Sequence, residues 1–219
     1  MVRKYTDKEL LERVKSLDNY IGVPSGHWIL GVRSQEDSVN KFDDKFYLFR
    51  GELFIEVSTG TTNPGQPTLK QFEKVNKAGA AVLKSEQWYY DVWKYGRHQG
   101  KVEALLQLGA PVEVYRDTDK DDKSEEQGKL DTGYFGINFH PNTYNLNKPS
   151  GTNIGWWSAG CQVLNDVNKY KTFIRLCKTQ KFTSYCLINE SYESVTGKNI
   201  LAAMRKFVTR SKAELDNWK

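Results

Sequence analysis

Apolar residues recur at helical spacing at the head of the chain. In residues 7–20 (DKELLERVKSLDNY), Leu10, Leu11, Val14 and Leu17 share one face, and Asp7 stands where an N-cap belongs. This predicts one short amphipathic helix. Gly22, Pro24 and Gly26 then break the chain ahead of a strand at 28–33 (WILGVR). From Lys45 the pattern is β-rich: 45–49 (KFYLF) and 52–58 (ELFIEVS) flank Arg50-Gly51 and predict a hairpin. Loop chemistry follows at 58–67 (STGTTNPGQP), then a helical turn over 69–76. Residues 80–96 are extended and aromatic, 102–109 (VEALLQLG) fit a brief helix or strand, and 111–117 (PVEVYRD) a strand. The stretch 117–129 (DTDKDDKSEEQGK) has no apolar anchor. It predicts a solvated hairpin loop, and its acids lack the spacing and glycine of an EF-hand calcium loop.

Further on, 133–140 (GYFGINFH) predicts a buried strand that ends in a histidine. A 20-residue segment, 141–160, is rich in Asn, Pro, Gly and Ser and leads to 161–164 (CQVL). Loops of that length inside compact domains are usually functional or disordered, and two consecutive Trp residues argue for order. A helix is predicted over 169–178, a strand over 181–189 and a closing basic amphipathic helix over 197–215. No internal repeat or linker marks a second domain. The expected class is α+β, mainly β, with residues 1–26 forming an N-terminal helix and linker and 27–219 the main domain.

Composition narrows the function classes. Of 219 residues, 38% are hydrophobic and 13% aromatic, enough for a core built on large rings, so whole-chain disorder is excluded. No apolar run is long enough to span a bilayer, and the first residues lack the apolar stretch of a signal peptide. Three cysteines, Cys161, Cys177 and Cys186, suit neither a disulfide framework nor a zinc site. They predict reduced thiols in a chain made in the cytosol. The net charge of +5 is interspersed along the chain, which argues against a nucleic-acid partner. No metal or cofactor is called for, and a monomer is expected.

Two polar groups stand out on an apolar background: His140 closing FGINFH, and Cys161 within 156–164 (WWSAGCQVL). An imidazole beside a thiol can lower its pKa and release the thiolate as a nucleophile. Gly160 permits a sharp turn that can aim backbone N–H groups at an oxyanion, while Ser158 and Ala159 are small enough to admit a substrate carbonyl. The same residue types also suit a plain core: a cysteine as a small hydrophobe and a strand-end histidine as a structural hydrogen bonder. Asn138 lies on the His140 side of its strand and can orient a substrate amide. Trp156 and Trp157 can line a groove or divide into a core ring and a lid. His98, with Arg97, fits either a surface turn or the cleft. Cys177 and Cys186 read as core, and His27 is assigned nothing.

The run INFH, a variable loop and then IGWWSAGCQVL resemble the catalytic motif of L,D-transpeptidases of the YkuD type, and FIEVSTGTTNPG is similar to that family's strand and loop upstream. The resemblance covers about residues 46–166. It implies an L,D-transpeptidase-like β-sandwich or barrel with short flanking N- and C-terminal helices. By it, Cys161 is the acylated nucleophile and His140 its base. Ser158 and Gly160 match the small positions before the nucleophile, and the amides of Gly160 and Cys161 form the oxyanion hole. It also implies a backbone carbonyl that fixes the histidine tautomer. The chain departs from the pattern at Ala159, where the family has a second histidine, and at Gln162-Val163, which lack the family's Arg or Asn. The implied activity is thioester-mediated hydrolysis or transpeptidation of peptidoglycan stem peptides, as a phage or bacterial lysin acting on the cell wall. The competing class is a non-catalytic wall-binding or virion structural protein with the same fold.

Overall fold

The computed structural model describes residues 1–190. Helix α1 (Asp7–Lys15) is followed by strands β1 (His27–Arg33), β2 (Asp44–Arg50) and β3 (Leu53–Thr61), then short helix α2 (Gln66–Lys70). Strands β4 (Ala80–Leu83), β5 (Gln87–His98), β6 (Val102–Gln107), β7 (Val112–Asp117), β8 (Lys129–Gly133), β9 (Phe139–Pro141) and β10 (Gln162–Leu164) come next. Helix α3 (Val167–Cys177) and strand β11 (Thr183–Asn189) complete the described chain. The chain is mainly β. Eight strands close into a barrel in the order β1-β11-β5-β6-β9-β10-β3-β2, and β4-β7-β8 form a separate sheet.

The barrel explains why its strands read as unbroken apolar runs. Ile29, Phe46, Leu48, Tyr185 and Leu187 point inward to a core shared with Phe139, Leu164 and the buried face of α3. Their neighbours Trp28, Leu30, Tyr47, Phe49 and Cys186 point outward and are covered by Leu10 and Val14 of α1. A strand buried on both faces loses the period-two alternation of a half-exposed one. Ala81 and Leu83 of β4 and Val112 and Val114 of β7 pack into the inner core, so the small sheet extends the barrel's core.

Helix α1 is capped by Thr6, one residue before the expected Asp7. Thr6 accepts from the Glu9 amide, and the Glu9 carboxylate accepts from the Thr6 amide, forming a capping box. It ends at Lys15, short of the expected Tyr20, because Asn19 leaves the helix. The Asn19 side chain donates to the Trp88 carbonyl and accepts from the Trp88 amide at 2.9 and 3.0 Å, as a neighbouring strand would. The hairpin at Arg50-Gly51 is present, with Gly51 at φ +55, and within 102–109 the residues Val102–Gln107 form strand β6.

Residues 133–140 do not form one strand. Strand β8 ends at Gly133 in the small sheet, and the ladder resumes at Phe139 in the barrel. Between them the Gln107 side chain takes over the pairing. Its oxygen accepts from the Phe135 and Ile137 amides at 2.9 and 3.0 Å, and its nitrogen donates to the Gly133 carbonyl at 2.9 Å. The acidic segment between β7 and β8 is more tightly held than a solvated loop. Glu126 pairs with Arg33 and accepts from the Ser85 amide, and Asp122 accepts from Gln66 and Lys70. Cys177 and Cys186 are buried. The helix expected at 197–215 lies outside the described residues.

Candidate functional site

The parallel pairing of β9 with β10 builds the site. Phe139 pairs with Gln162 and His140 with Val163. Phe139 and Leu164 face the inner core, where the Gln162 amide oxygen accepts from the Tyr185 hydroxyl at 2.7 Å. Alternation then turns Asn138, His140, Cys161 and Val163 to the outer face together. The Gln162 amide donates to the Asn138 carbonyl at 2.8 Å, which puts Cys161 beside Asn138 at the head of the ladder. Two residues twenty-one positions apart in sequence thus share one face of adjacent strands.

The turn that delivers Cys161 is tightly constrained. Ser158 is fully buried; its hydroxyl donates to the Cys161 carbonyl at 2.8 Å and accepts from the Gly160 amide at 3.2 Å. The Ser158 carbonyl accepts from the Gly65 amide at 2.9 Å and the Thr68 hydroxyl at 3.0 Å. The upstream loop 58–67 and helix α2 therefore grip the cysteine turn directly. Gly160 sits at φ +124, and a Cβ there would lie 2.5 Å from the Ala81 carbonyl oxygen. Gly160→Ala is expected to cost roughly 2 kcal/mol or more of stability by urea unfolding, since both strain and a backbone clash must be relieved.

His140 is buried, and its Nδ1 donates to the Pro141 carbonyl at 2.9 Å. A carbonyl can only accept, so Nδ1 carries the proton and Nε2 keeps its lone pair. Nε2 has no hydrogen-bond partner among the described residues. Burial, reinforced by neighbouring His98, pushes the imidazole down to about 3, so it is neutral at ordinary pH. The half-buried Cys161 thiol donates to the Gly136 carbonyl at 3.4 Å. Desolvation, partly offset by the Asn138 backbone, pushes that thiol up to about 11. The resting pair is thus a neutral thiol and a neutral imidazole, and the expected easing of the thiol toward thiolate is absent from this state. Such a pair can react only if the proton moves to Nε2 as the sulfur attacks.

The other expected residues divide. His98, at the end of β5, stacks on His140 with ring centroids 4.0 Å apart, so it belongs to the His140 cluster. Both ends of the Asn138 amide are engaged within the protein: its oxygen accepts from the Gln107 amide at 2.9 Å, and its nitrogen donates to His98 Nδ1 at 3.2 Å. A substrate amide would have to displace those bonds. Trp157 is half-buried against Phe42, Ile154 and Val163 and meets Tyr144 edge-on at 4.8 Å. Trp156 is 52% exposed, and Ala159 is half-buried beside the cysteine. Of the two amides expected to form an oxyanion hole, that of Gly160 already donates to Ser158.

Sequence reasoning missed Gln107 and Thr68, and it expected a carbonyl on the histidine without assigning it to Pro141. Only Gln107 left a signal, as a polar residue closing the apolar run VEALLQ. Among the described residues the acids that gather closely enough to hold a metal are Asp119, Asp121 and Glu125, on the acidic loop. Asp119 and Asp121 also accept from amides of their own turns at 3.0 and 2.6 Å. No helix among the described residues is long and apolar enough to cross a membrane. Compared with known protein families, with curated proteins and with solved structures, the chain matches none.

Proposed function

We propose that the protein is a cysteine-dependent acyl-transfer enzyme acting on peptidoglycan stem peptides. The observation that carries this reading is the pairing of β9 with β10, which puts Cys161 on the same face as, and two register positions from, a histidine whose Nδ1 is anchored and whose Nε2 is unpartnered. In the reaction, the Cys161 Sγ–H bond breaks as its proton passes to His140 Nε2, and the sulfur bonds to the scissile carbonyl carbon. The tetrahedral oxyanion collapses, the C–N bond breaks, and the imidazolium returns its proton to the departing amine. Water or a second amine then attacks the thioester and frees Cys161. Hydrolysis is the preferred outcome, as in a phage or bacterial cell-wall lysin, and transpeptidation differs only in the acceptor.

The choice of substrate rests on the resemblance to L,D-transpeptidases. Its two motif segments touch, Gly65 and Thr68 holding Ser158 in place. The exposed face of Trp156 supplies a surface for peptide or sugar. Incubation with purified sacculi, followed by mass analysis of the released muropeptides, tests the reading. Products cut or joined at stem peptides are expected; intact sacculi over a pH range of 5–9 would reject it.

One observation favours the non-catalytic alternative, a wall-binding or virion protein. The thiol is bonded to the Gly136 carbonyl and held in its neutral form. On that alternative, Cys161 alkylates no faster than an ordinary buried thiol at any pH. On the enzyme reading, its alkylation depends on an intact His140.

A further inference from the structure

The two stacked imidazoles carry opposite tautomers, and the chain of contacts that dictates this begins at a backbone amide. The Gln107 N–H can only donate, so the Asn138 atom 2.9 Å from it must be the side-chain oxygen. The other end of that amide is then the NH₂ group, and it donates to His98 Nδ1 at 3.2 Å. His98 Nδ1 therefore bears a lone pair, and the His98 proton sits on Nε2. A second proton on His98 would have to go onto Nδ1, against the hydrogens of the Asn138 amide. His140 is the mirror case, with its proton on Nδ1 and its lone pair on Nε2.

We propose that Asn138 is a positioning residue that locks His98 in its neutral, Nε2-protonated form, so that the ring stacked on His140 carries no charge when His140 takes up a proton. This rests on the acyl-transfer reading, in which His140 Nε2 is the proton acceptor. Centroids 4.0 Å apart, at an interplanar angle of 16°, leave no room for water between the faces. Two imidazolium rings at that separation repel strongly, so a charged His98 would make His140 a poor base. The other groups facing the pair act in the same direction or are neutral. Burial lowers the His98 pKa, and Lys101 on the β5–β6 turn lowers it further. Arg97 is tied to the Gly100 and Lys101 carbonyls of that turn. Tyr144 bonds to Gln99 and lies under the Lys101 ammonium, and Cys161, just ahead of β10, is a neutral thiol.

The test uses imidazole ¹⁵N chemical shifts and the pH profile of turnover on sacculi, both on the full chain. Wild type is expected to show an Nε2-protonated His98 and an Nδ1-protonated His140 at pH 7. In Asn138→Asp, a carboxylate faces His98 Nδ1 and can only accept. His98 should then take a proton on Nδ1, its pKa rising by about one unit or more. The acidic limb of the turnover profile should shift upward by a similar amount. Asn138→Asp combined with His98→Phe, which keeps a stacked ring that cannot titrate, should bring that limb back. An Nδ1-protonated His98 in wild type would overturn the lock, as would an unshifted limb in Asn138→Asp or the same shift in the double variant. The ¹⁵N reading needs no substrate and remains decisive if a variant fails to fold. Correct tautomers without muropeptide release would reject the acyl-transfer reading instead.

Discussion

Cys161→Ala is expected to abolish muropeptide release while the protein melts within a few degrees of wild type. On the proposed mechanism the sulfur is the atom that bonds to the substrate carbon, and the alanine methyl cannot replace it as a nucleophile. Removing a nucleophile that acts as one unit with its base costs at least about 10⁴-fold in kcat. Stability is much less sensitive. The side chain is half-buried and gives up one 3.4 Å hydrogen bond to Gly136. Losing one sulfur at a partly open site costs about 1 kcal/mol. Chromatography of muropeptides and a thermal melt by circular dichroism measure the two effects separately. Turnover at the wild-type rate in Cys161→Ala would end the thioester mechanism.

His140→Asn is expected to have the second largest effect, in both rate and pH dependence. Asn keeps a donor for the Pro141 carbonyl but offers no base nitrogen in place of Nε2. Loss of a general base lowers the rate by about 10²–10⁴-fold. The stability consequence follows from the gap between the ordinary histidine value of 6.5 and about 3 in the folded protein. Below pH 6.5 the unfolded chain binds a proton that the folded chain refuses. The His140 contribution is therefore fully present above 6.5 and declines as the pH falls toward about 3. Over the whole window it amounts to at most roughly 5 kcal/mol. Asp44 and Asp117, raised to about 6 chiefly by burial, act in the opposite sense, favouring the folded state as pH drops from 6 toward 4. Both carboxyls are present in wild type and variant, so they cancel in the difference. Urea unfolding at pH 7 and pH 4 is expected to show a smaller loss for His140→Asn than for wild type. Equal losses would mean that the imidazole is protonated in the folded state.

Much of the architecture was legible because each strand carries its own local signal. Aromatic and β-branched runs bounded by Gly, Pro and Asn marked β1, β2, β3, β5, β7 and β11, and 3.6-residue spacing marked α1 and α3. The errors fall where a distant side chain substitutes for a backbone partner. Asn19 ends α1 by pairing with Trp88, and Gln107 replaces the ladder over 133–138. Asn19 leaves no trace of its contact at its own position, and Gln107 only that of a polar residue closing an apolar run. The acidic loop misled for a related reason. Its anchor is Arg33, ninety-three residues away, and a long-range ion pair has no periodicity.

The candidate site divides along the same line. Sequence alone determined the chemistry available, a thiol after a glycine and a histidine closing an apolar strand, because reactivity resides in residue type. It also determined that Gly160 must be glycine if the chain turns there. Only the tertiary structure decided that β9 and β10 run parallel, and that register is what brings Cys161 and His140 to one face. Tertiary contacts alone also set the protonation pattern. Pro141 fixes the His140 tautomer, Gln107 orients Asn138 toward His98, and desolvation holds both the thiol and the imidazole neutral. A pKa and a tautomer are properties of surroundings, and those surroundings exist only once distant segments have packed.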